Sequence, residues 1–264
     1  MRYCSLASSS KGNISIVYTD TTKILIDAGI ALSEIELKLQ ALNINPYDIN
    51  GILITHEHGD HIKSVGALNR KYGINIYCHV DAYSSLIYKL GKIRPNTIFT
   101  FSSNIFSIGD VKIEAYKVPH DVPACCGFNI YYNAKKMSFA TDLGHITEDI
   151  IQKFYDSRLV VLESNHDEKL LMANPKYSLQ LKQRIKGNNG HLSNVVASKV
   201  ISRLAVNNVK QIVCAHLSEE NNTPEVCYNT ICDYLNSVSI EVGLNIKVFI
   251  ADPRKMSPIF YISN

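Results

Sequence analysis

The sequence lacks several features that would place it in a special class of protein. It has no low-complexity tract, no uncharged apolar run of the roughly 18 residues that a membrane-spanning helix needs, and no apolar segment near Met1 that is typical of a signal peptide. We therefore expect a globular protein of the cytoplasm. The formal net charge of +3 permits contact with a polyanion but does not by itself indicate one.

The seven cysteines are also without the spacing of a structural framework. They are scattered and odd in number, and none forms a C-x-x-C pair, which argues against both a disulfide framework and a thiolate zinc site. Cys125 and Cys126 are adjacent and precede Gly127. We interpret them as small buried side chains without a chemical role.

Helical and β-strand patterns alternate along the chain. The β-branched runs NISIVYTD and TKILIDAG, separated by Asp20-Thr21-Thr22, predict a hairpin. In SEIELKLQAL, Ser33 followed by Glu36 predicts a capping box at the start of a helix. Two blocks of strands, each joined to helices, indicate an α/β protein in which two sheets pack together with helices outside.

The segment THEHGDH, residues 55–61, is the most distinctive part of the sequence. It follows the apolar strand GILIT, so His56 and His58, two residues apart in an extended segment, direct their rings to the same side. Asp60 and His61 can approach a second point nearby. Imidazole and carboxylate without thiolate suit Zn or Mn, with Fe possible, so the segment predicts half of a site for two metal ions.

Three further candidate ligands stand at the ends of predicted strands. His120 follows VKIEAYKV, Asp142 closes KKMSFATD, and His216 closes KQIVCAH. An isolated histidine at a strand end is more often a capping or core residue than a ligand. Because a rigid sheet delivers such residues to a common rim, and because the histidine segment is complete, we expect these three to join the metal site.

The order of these residues, beginning at Asp27, resembles the metallo-β-lactamase superfamily over almost the whole chain. The resemblance implies a four-layer αββα sandwich with two divalent metal ions in a cleft between the sheet edges. It implies that one ion is held by His56, His58 and His120. It implies that the other is held by Asp60, His61 and His216. Asp142 would bridge the two ions, and Asp27 would orient the histidine segment.

The chain shows no linker rich in proline, glycine or serine between its halves. The segment from Asp142 to His216 is too short for the large cap domain that is inserted in related RNA-processing nucleases. We therefore predict that residues 1–264 form one domain with an open cleft.

Longer segments narrow the resemblance to the YycJ/WalJ group, namely SLASSSKGN, TDLGHIT, LESNHDEKLL, LKQRIKGNNGHLSN and AHLSEENNTPE. This group is associated with 5′-to-3′ exonuclease action on DNA and with DNA repair. The resemblance implies a metal-dependent hydrolase of phosphodiester bonds, in which two metal ions lower the pKa of a bridging water enough to form hydroxide near neutral pH. Where the group usually carries glycine, this chain has Ser9, which would add strain if that turn needs a positive φ.

Several polar residues are candidates for contact with a DNA substrate. Ser193 can cap the helix NVVASKVISRL, so that backbone amides at Asn194 and beyond could receive a phosphate. His191 would then donate a proton to the leaving oxygen, and Asp60 would orient the attacking hydroxide while it binds metal. The other predicted contacts are Ser10, Lys182 and Arg184. The two cations equally fit a solvated basic face.

Two other functions stay open at this point. The same metals could activate water against a thioester or a lactone. Alternatively, the chain could be a non-catalytic nucleic-acid-binding protein with a structural metal site. Glu163, at the end of LVVLE, could either support the site or contact its rim.

Overall fold

The computed structural model describes residues 1–102 and 105–262. Its strands form two seven-stranded sheets. The first sheet contains β1 (Arg2–Ser9), β2 (Gly12–Tyr18), β3 (Lys23–Ile26), β4 (Gly51–Leu53), β5 (Ile76–His79) and β6 (Ile98–Phe101) in that order, with β14 (Phe260–Tyr261) beside β1. The second contains β7 (Ile105–Ile108), β8 (Val111–Val118), β9 (Cys125–Tyr132), β10 (Lys135–Ala140), β11 (Leu159–Glu163), β12 (Gln211–Ala215) and β13 (Lys247–Ile250), also in order.

Helices alternate with the strands of both sheets along the chain. Those of the first half are α1 (Leu32–Ala41), α2 (Gly59–Ile62), α3 (Val65–Tyr72) and α4 (Tyr83–Leu90). Those of the second half are α5 (Glu148–Phe154), α6 (Glu168–Ala173), α7 (Leu179–Lys186), α8 (Asn194–Ala205) and α9 (Pro224–Ser237). Short 3₁₀ helices cover Pro46–Asp48 and Val80–Ala82. No helix within the two described ranges is long and apolar enough to cross a membrane.

Three apolar cores hold the layers together. The central core joins the inner faces of the two sheets, with Val17 and Leu53 from the first and Phe128 and Val161 from the second. A second core packs the first sheet against α1, α3 and α4, and a third packs the second sheet against α5, α8 and α9. This arrangement confirms the predicted four-layer αββα sandwich, because each sheet buries one face against its partner and one against helices.

The local predictions near the N-terminus have mixed outcomes. The hairpin is confirmed, since β2 and β3 pair antiparallel with Tyr18 opposite Lys23. The capping box is wrong. The helix begins one residue before Ser33, and its first turn closes on the Ala31 carbonyl, which accepts from the amides of both Glu34 and Ile35 at 3.0 Å. Ser33 therefore lies inside α1, where its side chain cannot cap the first turn.

Ser9 lies at a tight turn between two paired strands. Ser9 is the last residue of β1, a strand that the sequence did not predict, and it pairs with Gly12 across the turn. Its φ is not among the positive values found in the described chain, so the expected strain does not arise there. The Asn13 side chain stabilises this turn, because its carboxamide oxygen accepts from the Ser9 amide and its nitrogen donates to the Ser9 carbonyl.

Cys125 and Cys126 are buried in β9, as predicted for small core side chains, with 2% and 0% of their surface exposed. Burial raises the pKa of the Cys126 thiol to about 12. Both thiols are therefore protonated and unreactive at neutral pH.

Candidate metal centre

The candidate ligands follow strands whose carboxyl ends meet at one rim of the sandwich. In the first sheet β3 and β4 are parallel, and they end just before Asp27 and the histidine segment. In the second sheet β10, β11 and β12 are parallel, and β8 runs in the same direction because both β8 and β10 are antiparallel to β9. These strands end just before His120, Asp142 and His216 and at Glu163, so the sheet topology brings the side chains of distant segments together.

Three of these residues adopt a backbone conformation that L-amino acids rarely use. The φ angles of Asp27, Asp142 and His216 are 59°, 59° and 57°. Left-handed conformations in residues other than glycine cost free energy and persist where surrounding contacts hold them, often at functional sites.

Three histidines form the first cluster. The ring centroids of His56 and His58 are 4.6 Å apart, and those rings lie 5.1 and 5.2 Å from the ring of His120. One ring nitrogen from each of the three lies within 4.8 Å of the other two. Three imidazoles at this separation can bind a single divalent cation.

A second cluster lies beside the first. The Oδ2 atom of Asp60 is 3.3 Å from Nε2 of His61 and 3.6 Å from Nε2 of His216. The Asp142 carboxylate lies between the two clusters. Its Oδ2 is 3.3 Å from Nε2 of His61, and its Oδ1 is 3.6 Å from Nε2 of His216 and 3.8 Å from Nε2 of His120.

The donor atoms of these clusters fit divalent cations. Four buried atoms here have no hydrogen-bond partner within the described ranges: Nε2 of His56, Nε2 of His120, Nε2 of His216 and Oδ2 of Asp142. Buried polar atoms are nearly always paired, because an unpaired one costs about 1–3 kcal/mol. Since all four lie in one cleft, the arrangement fits divalent cations better than it fits a hydrogen-bonded polar core.

In two of these rings, those of His61 and His120, the Nδ1 atom is held by a neighbouring oxygen. Nδ1 of His61 lies 2.7 Å from Oδ2 of Asp27, which also accepts from the Thr55 hydroxyl at 2.7 Å. Nδ1 of His120 lies 3.2 Å from the Gly190 carbonyl oxygen. Because these oxygens only accept, the proton resides on Nδ1, and Nε2 keeps its lone pair for a cation.

Glu163 organises the second sheet's side of the cleft and is fully buried. Its carboxylate accepts from three amides and two imidazoles: Asp142 N (3.2 Å), Leu143 N (3.0 Å), Leu192 N (2.9 Å), His191 Nδ1 (2.9 Å) and His216 Nδ1 (2.8 Å). Burial opposes ionisation, but His191 and His216 outweigh it and lower the pKa of Glu163 to about 2. Of the two roles left open for Glu163, the contacts favour that of a support.

The electrostatics of the cluster favour a cation. Burial raises the pKa of Asp142, but the imidazoles of His216 and His61 outweigh it and hold that pKa well below its usual range. Burial lowers the pKa of His216, but Asp142 and other nearby carboxylates raise it to about 10. Burial is also the largest influence on His56, whose pKa lies well below its usual value. The centre thus combines ionised carboxylates, which attract a cation, with the neutral imidazole of His56 and with the His216 imidazole, which must release a proton before it can bind metal.

The clusters open into a cavity of about 190 Å³. Of the residues predicted to contact substrate, Ser10, Arg184 and His191 line it. Lys182 does not, and its ammonium group donates to the Met172 carbonyl at 2.7 Å.

Ser193 and Asn194 also lie away from this cavity. The Ser193 hydroxyl caps α8, as predicted, by accepting from the Val196 amide at 3.3 Å. Asn194 is fully buried and hydrogen bonds to Ser164 and Asn222. Its side chain therefore belongs to the core polar network rather than to the metal cavity.

Asp121 is a cavity residue that the sequence analysis missed. Its Oδ1 lies 3.3 Å from Nε2 of His120 and 3.9 Å from Nε2 of His58, and its Oδ2 accepts from the Arg184 guanidinium. This ion pair neutralises part of the charge that had suggested Arg184 as a phosphate ligand. The only signal in the sequence was the position of Asp121 directly after a candidate ligand.

Comparisons with known proteins agree with this geometry. The β-lactamase superfamily domain matches residues 22–217. Exodeoxyribonuclease YycJ of Bacillus anthracis is 31% identical over 99% of both chains, and exodeoxyribonuclease WalJ of Streptococcus pneumoniae serotype 2 (strain D39) is 33% identical over 98% of this chain and 97% of its own.

Solved structures show the same fold at low sequence identity. The Zn²⁺-bound PqqB of Methylobacterium extorquens superposes with a TM-score of 0.73 at 14% identity, over 97% of this chain and 99% of its own. The resemblances predicted from the sequence are therefore confirmed. The chain belongs to the β-lactamase superfamily, as a metal-dependent hydrolase of the group that includes YycJ and WalJ.

Proposed function

We propose that this protein is a DNA exonuclease that acts in the 5′-to-3′ direction and hydrolyses phosphodiester bonds with two divalent metal ions. The observation that carries the proposal is the position of the Asp142 carboxylate, 3.3 to 3.8 Å from imidazole nitrogens of both ligand clusters. A carboxylate between two such clusters is typical of two-metal hydrolases. The names of the YycJ and WalJ relatives, which share about a third of this sequence, support DNA as the substrate.

Seven residues would hold the metal ions, in two groups joined by Asp142. These are His56, His58, His120, Asp60, His61, His216 and Asp142. Nitrogen and oxygen donors suit Zn or Mn, with Fe possible. Zinc is the ion named for the PqqB structure. When bound, such a pair of ions makes a coordinated water more acidic and neutralises negative charge on a phosphate.

His191 is placed to supply a proton. Its Nδ1 is occupied by Glu163 Oε1 at 2.9 Å, so Nε2 is the ring nitrogen that can exchange a proton with a substrate in the cavity. Burial lowers the pKa of His191, but the Glu163 carboxylate outweighs burial and raises it above its usual value. The protonated form of this imidazole, which the Glu163 carboxylate favours, can donate to the leaving oxygen of a phosphodiester.

Asp60 is held so that it can orient a nucleophile. Its Oδ2 accepts from the Asn13 carboxamide at 3.3 Å and lies equally far from Nε2 of His61. Burial raises the pKa of Asp60, but His61 and His216 lower it far below the usual range. The ionised carboxylate can therefore accept a hydrogen bond from an attacking water at the cavity floor.

Ser10 and Arg184 are the proposed contacts with the DNA backbone. Both line the cavity, and the Arg184 side chain is 67% exposed although it is paired with Asp121. A phosphate can compete with a carboxylate for a guanidinium, since both accept two parallel hydrogen bonds. The arrangement of Lys182, Ser193 and Asn194 gives no support for contacts between their side chains and the scissile phosphate.

Incubation with end-labelled DNA tests the proposal. Protein loaded with Mn²⁺ or Zn²⁺ should release mononucleotides from the 5′ end of single-stranded or duplex DNA. Asp142→Asn should abolish release, while Asp149→Asn on the exposed face of α5 serves as the matched control. The absence of product with either metal, together with no turnover of an activated phosphodiester, would refute the proposal. Turnover of thioesters or lactones instead would assign the centre to that chemistry.

A separate outcome distinguishes catalysis from binding. If the metals were structural, His58→Ala and Asp142→Ala would lower stability but leave nucleic-acid binding intact. Because the residues line an open cavity, we expect these variants to lose hydrolysis while they still bind DNA in a gel-shift assay.

A further inference from the structure

A second cavity, of about 420 Å³, lies beside the metal centre. The two cavities share one residue, His191, and none of the seven proposed metal ligands lines the second. Its volume lies within the range of about 300–1,000 Å³ that is typical of small-ligand sites. The proposed hydrolysis at the metal centre does not use this space.

The cavity has an apolar wall and a basic rim. The apolar wall is formed by Ile146, Ile151, Leu192, Val196 and Val200. On the rim, Arg203 is bound to Glu148 at 2.8 Å, and Lys186 lies 4.0 Å from Glu168. Lys199 has no ion pair within the described part of the chain, so its ammonium group is free to bind an anion.

The His166 side chain and the first turn of α8 add polar character to the same cavity. His166 is only 1% exposed, yet its Nδ1 has no hydrogen-bond partner in the described ranges. The first turn of α8 also borders the cavity through Ser193 and Val196, but the amides of Asn194 and Val196 already donate to the His166 carbonyl and the Ser193 hydroxyl, so this turn adds only the positive end of the helix dipole. An apolar wall, a cation and an unsatisfied imidazole within one cavity match the parts of a nucleotide.

We propose that this cavity binds a nucleoside 5′-monophosphate unit. Its base lies on the apolar wall, and its phosphate is bound by the ammonium group of Lys199. This inference rests on the proposed nuclease function, since the unit is either the 5′-terminal nucleotide of a DNA strand or the released mononucleotide. In both cases the shared residue His191 places the unit next to the phosphodiester that is cleaved.

Calorimetric titration of metal-free protein tests the binding without any hydrolysis. Deoxyadenosine monophosphate should bind, and Lys199→Gln should weaken it about tenfold, which is the effect of losing one hydrogen bond to a charged group. Val196→Phe should prevent binding because the ring fills the cavity. Lys112→Gln is the matched control, since Lys112 is exposed at the start of β8, the end of that strand opposite the metal centre.

A single-stranded oligonucleotide with either a 5′-phosphate or a 5′-hydroxyl separates the two sources of the ligand. If Lys199→Gln weakens binding of the 5′-phosphorylated strand and of the mononucleotide, the cavity holds the strand end. If only the mononucleotide is affected, the cavity holds the product. Unchanged binding of both ligands would overturn the inference, and continued turnover of an activated phosphodiester by the metal-loaded protein would show that the proposed function stands without it.

Discussion

Replacing Glu163 with glutamine removes one negative charge at the centre of the site while almost preserving the shape of the side chain. In the wild-type protein Oε2 accepts from the amides of Leu143 and Leu192, and Oε1 accepts from Nδ1 of both His191 and His216. Glutamine has only one oxygen. Whichever way its carboxamide is oriented, its NH₂ group faces at least two groups that now donate to the carboxylate.

The magnitude follows from those contacts. If the NH₂ group replaces Oε2, two buried amides lose their acceptor, and each unsatisfied donor costs about 1–3 kcal/mol. If it replaces Oε1, His216 must move its proton to Nε2 to accept from the amide, and Nε2 can then no longer bind a cation. We therefore expect Glu163→Gln to lower the free energy of unfolding by about 2–6 kcal/mol and metal affinity by about 10- to 100-fold.

Two measurements separate these effects. Urea unfolding of metal-free protein gives the change in stability, and competition with a chromophoric chelator gives the metal affinity. Glu34→Gln is the matched control, since Glu34 is exposed at the start of α1 and should change stability by only about 0.5 kcal/mol. If Glu163→Gln matched this control in stability and bound metal like the wild type, the organising role of the carboxylate would be refuted.

Three further predictions follow from individual contacts. Asp27→Asn should weaken metal binding about 10- to 100-fold, because the His61 ring loses its carboxylate partner while asparagine tolerates the left-handed backbone. His191→Gln should lower the rate of DNA hydrolysis by about 10²- to 10⁴-fold and remove the loss of rate at high pH, since only the protonated ring donates. Glu114→Gln should lower the free energy of unfolding by about 1–2 kcal/mol at pH 7, a figure reduced to allow for solvent screening. Burial raises the pKa of Glu114, but Lys153 and other donors outweigh it and lower that pKa to about 2.

Each of these predictions has its own check. Metal content measured by mass spectrometry should be normal for His191→Gln, and a variant that lost metal would show a ligand or folding role instead. For Glu114, the stabilisation is present above the unfolded pKa of 4.5 and is lost as pH falls towards 2, so the wild type and Glu114→Gln should converge in urea unfolding at low pH. A pH-independent difference would contradict that assignment. If Asp27→Asn bound metal as tightly as the wild type in the chelator competition, the proposed role of Asp27 in orienting His61 would be wrong.

The confirmed fold prediction and the site predictions that the geometry supports both depend on short-range patterns. His56 and His58 are two residues apart after a buried strand, and that spacing alone directs two rings to one side. Apolar runs likewise identify the strands that end just before Asp142 and His216. The capping box at Ser33 failed because an extended segment before it lets the Ala31 carbonyl close the first turn, and this choice depends on packing rather than on residue type.

The sequence by itself determined the fold class, and it proposed seven residues as metal ligands, because both depend on the identity and spacing of residues along single strands and loops. Only the tertiary structure decided which of them meet, since that depends on the parallel pairing of β10, β11 and β12 and on the packing of the two sheets. The tertiary structure alone also decided which groups the Glu163 carboxylate binds and that Asp121 forms an ion pair with Arg184. Each joins groups distant in the chain, whose charges and hydrogen bonds depend on every neighbour that folding brings near them.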